Sequence, residues 1–506
     1  MKLSVSNSQW KKIDEIIDEI YKRKQPPGLA IGFFNKNGLM KEKYFGYGNI
    51  EEKNKVNENT GFMVGSITKL FTLVAIMQQF EEGKFELDDN VNDFLPNGKI
   101  ITKKGWPEVN FKHILTHTSG IGELRSKWDL FKKGFRLITY DDEKVPPMSS
   151  LHDLPVYSSS PAGYKYAYSN IAISILGYII EKLTSLSFRD YLIKNVLDPL
   201  EMTNSDLIKS NRIKLNEALG YKYKNGTYKQ AKRWNNIIKP SGALVTSVRD
   251  MANFGKMLLN HGQYNGKRIL RPETLELIWS PHYYAHEELR DRYSIGLIFR
   301  LHLIDSMRLV EHTGGLSGFN AQFSLFPDND FGFYSFCNLN EGMHNRTTSK
   351  LRNRIIKVLI KDCKRSSLLT NHNKRINTEY EGFYGPFPGF LTNTRIFIDG
   401  IEFKVKEKRD HFVFSSLIGS KKIGFRLFQT AKPEVFFKKN KPDEDIYMNR
   451  KYVFSYSESE SNYRLSQGLF TYRKLKYYQT IPFKITILCF TIFLITLLSI
   501  VIYLSL

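Results

Sequence analysis

The last segment of the chain, KITILCFTIFLITLLSIVIYLSL, constrains folding most strongly, because residues 485–506 carry no charged side chain. A helix over this segment would reach roughly 33 Å at about 1.5 Å per residue. That length covers the hydrocarbon core of a bilayer, which is about 30 Å thick. A buried helix of a soluble domain is the alternative, but such helices are rarely so uniformly apolar. The pattern predicts one transmembrane helix over residues 485–506 and contact with a lipid bilayer.

The residues before this segment predict its orientation. Arg473, Lys474, Lys476 and Lys484 precede it, with tyrosines between them, and a basic flank tends to stay on the cytoplasmic side. The N-terminal segment has no apolar h-region, so no signal peptide is predicted. Both observations favour a cytoplasmic body that is held at the membrane by its tail.

The net positive charge suggests a nucleic-acid binder, but the distribution of the basic residues argues against it. The chain holds 74 Lys and Arg against 51 Asp and Glu, a formal net charge of +23. Nucleic-acid binders often have such a balance, but here the basic residues are spread along the chain, without an Arg-rich arm or a zinc-ligand spacing. The three cysteines, Cys337, Cys363 and Cys489, predict neither a disulfide framework nor a metal site. We therefore expect no nucleic-acid partner, no metal and no cofactor.

The order of the patterns predicts an α+β fold. An amphipathic N-terminal helix precedes two apolar runs around Asn37-Gly38, which predict a β-hairpin. Helical patterns fill residues 110–260, and strand-like runs return before a last helix, TSKLRNRIIKVLIKD. Strands at both ends predict an antiparallel sheet flanked by helices, with a helical subdomain between. The predicted organisation is an α+β domain over 1–362, a linker over 363–378, a small all-β domain over 379–455 around an Asp399-Gly400 turn, a basic juxtamembrane segment over 456–484 and the transmembrane helix over 485–506.

The stretch FMVGSITKLFTLVAIMQQFEEG holds Ser66 and Lys69 three residues apart. At the start of a helix, both side chains would lie on one face. The serine would sit where backbone N–H groups are unpaired and the helix dipole favours negative charge. Burial would disfavour the charged form of the lysine, which could then accept the proton of a serine nucleophile. Alone the pair is a weak signal, since Ser8 and Lys11 repeat the spacing in the surface helix.

A second candidate lies in PAGYKYAYSNIAISILGYIIEKL, where Tyr168 and Asn170 precede a long apolar helix. A tyrosine near a cation shares its proton more easily, and an asparagine can donate to a substrate carbonyl. The same Tyr-x-Asn spacing recurs at Tyr47 and Tyr223, so the spacing alone does not choose among the three.

A third candidate is LVEHTGGLSGFNAQFSLFP, where His312 and Thr313 end a strand-like run. The glycines that follow, Gly314, Gly315 and Gly318, permit close backbone approach to a ligand. An ordinary turn after a strand is the structural alternative.

Taken in order, these elements resemble the serine β-lactamase and penicillin-binding-protein superfamily, with its Ser-x-x-Lys motif. The branch that the chain resembles is the class C β-lactamase-like one, with its esterases and D-amino-acid-specific peptidases. FKHILTHTSGIGEL, LEMTNS, SGALVTSVRDMANFGKML and EHTGGLSGF also look like this family, over roughly residues 10–360. The resemblance implies a β-lactamase/transpeptidase-like fold. It also implies Ser66 as the acylated nucleophile, Lys69 as its proton-accepting neighbour, Tyr168 as the partner base and Asn170 as a substrate contact.

The same resemblance assigns the third element. The backbone N–H groups of Ser66 and Gly315 would form the oxyanion hole, and His312 and Thr313 would bind substrate at the position of the Lys-Thr-Gly motif. Histidine has a reference pKa near 6.5 and attracts a carboxylate less than lysine does. Strong β-lactamase activity is therefore the less expected outcome, and the esterase or peptidase type is favoured.

Two neighbouring features are interpreted as structural. Residues 161–163 read Pro-Ala-Gly where the family usually has Pro-Gly, a change that should not move Tyr168 far. His117, in LTHTSG, is expected to be a structural histidine rather than a general base.

The sequence thus favours a membrane-tethered serine hydrolase that cleaves an ester or amide of a small-molecule or peptide substrate through an acyl-enzyme on Ser66. A D-amino-acid peptide, a β-lactam-like compound or a small ester would each fit. The alternative is a penicillin-binding or scaffold protein that keeps the fold without turnover. Most members of the family act outside the membrane, whereas the basic flank favours a cytoplasmic body. A missed upstream start and an intracellular substrate would each reconcile the two.

Overall fold

The chain forms two units. The computed structural model describes residues 3–96, 99–122, 138–140, 145–153, 155–213, 216–304, 306–341, 346–360, 378–385, 402–408, 411–416, 424–430, 432, 434–438, 451–480, 484 and 487. The first unit comprises Met1–Tyr284 and Arg290–Lys364, and the second comprises Ala285–Leu289 and Arg365–Leu506.

Ten α-helices are described, all in the first unit. They are α1 Asn7–Lys24, α2 Thr68–Glu81, α3 Phe111–Leu115, α4 Ser149–His152, α5 Asn170–Thr184, α6 Phe188–Leu192, α7 Lys239–Gly242, α8 Val248–Leu259, α9 Pro272–Ile278 and α10 Thr347–Leu359.

Twenty strands of the first unit are described. They are β1 Gly28–Asn35, β2 Gly38–Asn49, β3 Asn54–Lys55, β4 Phe62–Met63, β5 Ile100–Ile101, β6 Ile138–Tyr140, β7 Val156–Tyr157, β8 Tyr221–Lys224, β9 Thr227–Gln230, β10 Trp234–Asn236, β11 Val245–Thr246, β12 Gln263–Tyr264, β13 Lys267–Arg268, β14 Tyr283–Tyr284, β15 Ser294–Ile295, β16 Arg300–Ile304, β17 Met307–Leu316, β18 Phe319–Phe326, β19 Phe331–Cys337 and β20 Leu339–Asn340.

A nine-stranded antiparallel sheet forms the centre of the first unit, in the order β14-β15-β16-β17-β18-β19-β1-β2-β3. The predicted hairpin is confirmed as β1 and β2, which are hydrogen-bonded neighbours. On its other side β1 pairs with β19, so strands from the two ends of the domain share one sheet. This arrangement confirms the predicted α+β class.

Helices cover both faces of this sheet. Successive side chains of a strand point to opposite faces, and both Phe33 and Phe34 of β1 are buried. Phe33 packs edge-on against Trp10 of α1, with ring centroids 5.0 Å apart. Phe34 lies against Gly255 of α8, where an added Cβ would overlap its ring. Helix α1 also packs against α10, so α1 and α10 form one layer and α8 lies on the opposite one.

A helical group built from α2, α5 and α7 adjoins this sheet. Helix α2 buries almost its whole length. Helix α5 begins after Ser169, whose Oγ accepts a hydrogen bond from Ala172 N at 3.0 Å, a favourable N-cap arrangement. Within α5, Gly177 lies so close to Pro240 that a Cβ would overlap the proline ring.

The second unit contains a closed barrel of eight strands, each paired with the next and the last with the first. These strands are β21 Gly382–Gly385, β22 Phe403–Lys408, β23 His411–Ser416, β24 Gly424–Gln429, β25 Val435–Lys438, β26 Lys451–Ser457, β27 Asn462–Gln467 and β28 Phe470–Leu475. The barrel interior is largely aromatic. The segment Ala285–Leu289 adds Leu289 to a small cluster with Val435 and Val453.

The barrel continues past residue 455, where the sequence prediction ended it. Strands β27 and β28 lie within the segment that was predicted to be juxtamembrane. Their apolar face is short, because only Leu465, Tyr472 and Leu475 are buried hydrophobic residues. Basic residues such as Arg464 and Lys474 interrupt the alternation, which explains why the pattern was missed. The predicted Asp399-Gly400 turn lies outside the described residues.

The predicted transmembrane helix over 485–506 also lies outside the described residues, apart from Ile487, and it stays a prediction. Among the helices that are described, none alone has both the length and the apolar composition to cross a bilayer. Taken together, Asn170–Thr184 and Phe188–Leu197 meet that criterion as a pair bent by 84°.

Candidate active site

Ser66 lies in a 3₁₀ turn, Gly65–Ile67, that leads directly into α2. The turn requires a left-handed residue at Gly65, where φ is +53°, a conformation that glycine adopts without steric cost. The Thr68 hydroxyl fixes the turn by donating to Gly65 O at 2.6 Å and by accepting from Leu244 N at 3.0 Å. Ser66 therefore sits at the positive end of a buried helix, half-buried and held by its neighbours.

Lys69 is completely buried and is surrounded by oxygen atoms. Its Nζ lies 3.1 Å from Ser66 Oγ, 2.7 Å from Asn170 Oδ1 and 2.5 Å from the backbone carbonyl of Ser241. It also lies 4.9 Å from the ring centroid of Tyr168. Burial disfavours a charge on the lysine, whereas the surrounding oxygen acceptors and the ring face favour it.

Tyr168 is buried and its hydroxyl lies 2.7 Å from Ser66 Oγ. Ser66 thus lies between two titratable groups. The four protons shared by Lys69 Nζ, Ser66 Oγ and Tyr168 OH can be arranged in two ways. Either a neutral Lys69 accepts from Ser66 while Tyr168 donates, or an ammonium donates to Ser66 while a phenolate accepts. Each arrangement directs the Ser66 proton at a basic atom.

Asn170 is the first residue of α5 and faces Lys69. Its Oδ1 accepts from Lys69 at 2.7 Å, which makes Nδ2 the donor end of the amide.

The competing pairs lie on the surface. Ser8 and Lys11 are exposed in α1, and Tyr47 and Tyr223 are exposed as well. The structure brings together Ser66, Lys69, Tyr168 and Asn170, but none of these alternatives.

Strand β17 brings the third predicted element against the serine turn. An ideal Cβ on Gly65 would lie 2.8 Å from Gly315 N, so the backbones of these glycines are in contact. His312 is buried, and its Nδ1 lies 2.9 Å from the carbonyl oxygen of Thr313. Gly314 approaches Val64 so closely that a side chain there would overlap the Val64 carbonyl.

Two arginines near β17 were not predicted. Arg300 of β16 donates to Thr313 Oγ1 at 3.4 Å, and Arg346, which precedes α10, donates to Gly314 O at 3.3 Å. A Cβ at Gly315 would overlap the Arg346 guanidinium. No motif marks either arginine, because one acts across a strand pair and the other binds a backbone carbonyl.

Neither a cysteine nucleophile nor a metal cluster is indicated among the described residues. Burial raises the pKa of the Cys337 thiol, which disfavours the nucleophilic thiolate. In the part of the chain that the structure describes, no three His, Cys, Asp or Glu residues form a group that could hold a metal ion.

Known proteins share this sequence pattern and fold. A family model described as Beta-lactamase matches residues 13–355. Protein flp of Staphylococcus aureus (strain N315) is 26% identical over 354 residues, which cover 70% of this chain and 68% of flp.

Two solved structures resemble the chain at the level of the fold. An octameric penicillin-binding protein homologue from Pyrococcus abyssi has a TM-score of 0.58 at 22% identity, covering 92% of this chain and 99% of that one. A class C beta lactamase from Rhodobacter sphaeroides has a TM-score of 0.54 at 18% identity, covering 69% of this chain and 98% of that one. Since the family model spans more than half of the sequence, the chain belongs to the beta-lactamase family.

Proposed function

We propose that the protein is a serine hydrolase that cleaves an ester or amide bond through an acyl-enzyme on Ser66. One observation carries the proposal: Ser66 Oγ lies 2.7 Å from Tyr168 OH and 3.1 Å from Lys69 Nζ. A serine hydroxyl is a weak nucleophile unless a neighbouring base takes its proton. Here two groups that can act as that base lie within hydrogen-bond distance.

Acylation moves one proton from the serine to the leaving group. Ser66 Oγ bonds to the substrate carbonyl carbon while its proton passes to the Tyr168 phenolate or the neutral Lys69 amine. The same group then gives this proton to the departing alcohol or amine as the scissile bond breaks. In deacylation, water attacks the ester carbonyl and gives a proton to the same group, which returns it to Ser66 as the acid leaves.

The backbone N–H groups of Ser66 and Gly315 are proposed to bind the negative charge on the carbonyl oxygen. The contact between the Gly65 and Gly315 backbones supports this pairing, since it brings the two N–H-bearing segments together. In comparable sites one such donor is worth about 3 to 4 kcal/mol.

The two arginines favour a substrate that carries an anionic group. Arg300 and Arg346 contact Thr313 and Gly314 respectively, so both guanidinium groups lie beside the strand that would bind substrate. They add positive charge beside the strand in which His312 occupies the position of the family's lysine. Among the candidates, a peptide or β-lactam-like compound with a carboxylate is therefore favoured over a neutral ester.

We further propose that residues 485–506 tether the enzyme to a membrane. The absence of charge over this segment and the basic residues before it support the proposal. Fractionation of cells that express the full chain should place it with the membranes, and deletion of residues 485–506 should release it.

Mass spectrometry of the full chain in detergent tests the hydrolase proposal. The protein would be exposed to a fluorophosphonate and separately to a labelled penicillin, with Ser66→Ala run beside it. A fluorophosphonate adduct on Ser66, absent in the variant, is expected. No adduct on folded protein would overturn the proposal.

The penicillin arm refines the substrate class and separates turnover from binding. A penicillin adduct that disappears over time would indicate hydrolysis of the acyl-enzyme. A stable adduct would favour the alternative of a penicillin-binding protein without turnover. A Ser66 adduct with the fluorophosphonate alone would favour the esterase or peptidase type.

A further inference from the structure

His117 lies directly against the candidate base, although its sequence context predicted a structural histidine. It follows α3, is buried and adopts a left-handed conformation with φ +56°. Its ring stacks on the ring of Tyr168, with centroids 4.2 Å apart and an interplanar angle of 26°.

His117 also binds the backbone on both sides of Tyr168. Ala167 N donates to the His117 carbonyl at 2.7 Å, and Ser169 N donates to His117 Nδ1 at 3.3 Å. Because a backbone N–H donates to Nδ1, this nitrogen carries a lone pair and the proton of the neutral ring belongs on Nε2. The His117 backbone thus holds the residue before Tyr168, while its side chain holds the residue after Tyr168 and the phenol ring.

We propose that His117 is a positioning residue for Tyr168, which keeps the phenol oxygen within hydrogen-bond distance of Ser66 Oγ. The proposal rests on the proposed function, in which Tyr168 exchanges the Ser66 proton. Tyr168 precedes α5, so the cap of that helix at Ser169 fixes the end of the segment but not the rotation of the phenol about its side-chain bonds. The stacked imidazole restricts that rotation, and the hydrogen bond from Ser169 N to Nδ1 fixes the backbone that follows Tyr168.

The test is a set of variants compared by the rate of Ser66 labelling with a fluorophosphonate and by kcat and KM on a chromogenic ester. His117→Asn keeps an acceptor near Nδ1 and tolerates positive φ, but it removes the ring. We expect kcat and the labelling rate to fall about 10- to 100-fold, as for a reacting group displaced by about 1 Å, with KM changed less than about threefold. His117→Phe keeps a ring to stack and should recover part of the loss.

His152→Asn is a matched control. His152 is also a buried histidine, its ring lies 5.4 Å from that of Tyr178, and its Nε2 lies 2.9 Å from Ser174 Oγ. This variant removes a similar His–Tyr contact away from Ser66 and should leave kcat within about twofold. Thermal unfolding of the asparagine and phenylalanine variants shows whether a loss comes from misfolding. If only His117→Phe folds, a smaller loss of kcat than that given for His117→Asn is expected, and no loss would overturn the proposal.

A double-mutant cycle with Tyr168→Phe decides the mechanism of the effect. If His117 acts through the Tyr168 hydroxyl, His117→Asn should slow labelling little further in the Tyr168→Phe background. An equal loss in both backgrounds, or an unchanged kcat in His117→Asn, would overturn the proposal. Failure of the wild-type protein to label at Ser66 would instead overturn the proposed function, so the two outcomes are distinct.

Discussion

The two units bury different kinds of side chain. The interior of the first unit includes charged and hydrogen-bonding groups, among them Lys69, His117, Glu311 and Arg352. The described interior of the barrel is mainly aromatic, with Tyr380, Tyr384, Phe412, Phe436 and Phe454 in one cluster. A buried charge requires partners at fixed positions, whereas aromatic rings stabilise each other in several geometries. The difference indicates that chemistry which depends on geometry is concentrated in the first unit.

Lys69→Met should have the largest effect and tests this contrast directly. Methionine keeps the apolar length but removes the contacts of Nζ with Ser66, Asn170 and Ser241. We expect kcat to fall by about 10³-fold, because proton transfer loses one of its two groups.

The matched variant is Lys451→Met in the second unit. Lys451 is also largely buried and forms an ion pair with Glu288 at 2.6 Å. Its replacement should leave kcat within about twofold, and similar losses in both variants would contradict the contrast.

Arg352→Met should produce the largest loss of stability. Arg352 of α10 binds both carboxylate oxygens of Glu311 in β17 at 2.9 Å. Burial alone would raise the pKa of this carboxyl group, but Arg352 and His302 beside it hold the pKa well below its ordinary value of 4.5. Removing one partner of a buried pair typically costs about 3 to 5 kcal/mol, measurable by urea unfolding.

The same pair predicts a pH dependence with a definite sign. Because the folded pKa of Glu311 is lowered, the pair stabilises the fold above pH 4.5, and this contribution is lost as the pH falls. The difference between wild type and Arg352→Met should therefore shrink below that pH. Arg354→Met, which removes a surface ion pair with Glu19, is the control and should cost no more than about 1 kcal/mol.

Phe454→Ala examines the barrel core. Phe454 is buried, and its ring stacks on Tyr380 with centroids 4.5 Å apart. We expect unfolding of the second unit to become easier by about 3 kcal/mol, near the lower end for a buried phenylalanine, since neighbouring rings can close the space. Labelling of Ser66 should be unchanged. Phe428→Ala, at a half-buried position, is the control and should cost less.

Glu288→Gln should have the smallest effect. The Lys432 and Lys451 side chains hydrogen-bond Glu288 and lower the pKa of its carboxyl group from 4.5 to about 2. Because the folded pKa is lowered, the ion pairs of Glu288 stabilise the folded unit above pH 4.5. This stabilisation is lost as the pH falls from 4.5 towards 2. The thermal unfolding midpoints of wild type and Glu288→Gln should differ by a few degrees at pH 7 and converge near pH 2. A difference that grows on acidification would contradict the assignment.

Helix geometry predicted that Lys69 shares a face with Ser66, because residues three apart on a helical turn lie on one side. Tyr168 and Asn170 were predicted only through the family resemblance, since their spacing recurs elsewhere in the chain. The sequence did not predict Ser241, since that residue contributes a backbone carbonyl, which carries no signature of residue type. Arg346 was missed for the same reason, as it binds Gly314 O. The roles assigned to these residues stay predictions until a labelled adduct is observed.

The limits of the barrel show a different reason for failure. Strand β22 and the strands at FRLFQT and EVFFKK alternate clearly enough to be predicted. Strands β27 and β28 carry few apolar residues, and their position is fixed by pairing with β26 and β21. Of these partners, β21 lies far from β28 in the chain, and such a pairing leaves no local pattern, so closure of the barrel could not be predicted.

The segment Ala285–Leu289 has a consequence for the timing of synthesis. Glu288 and its partner Lys432 are 144 residues apart in the chain. At about 5 to 20 residues per second, Glu288 leaves the ribosome roughly 7 to 29 s before Lys432. The segment Ala285–Leu289 must therefore wait for the rest of the second unit to be synthesised before it can bind there. A fragment that starts at Arg365 would also lack Leu289, and Val435 and Val453 would lose an apolar neighbour that only the full chain supplies.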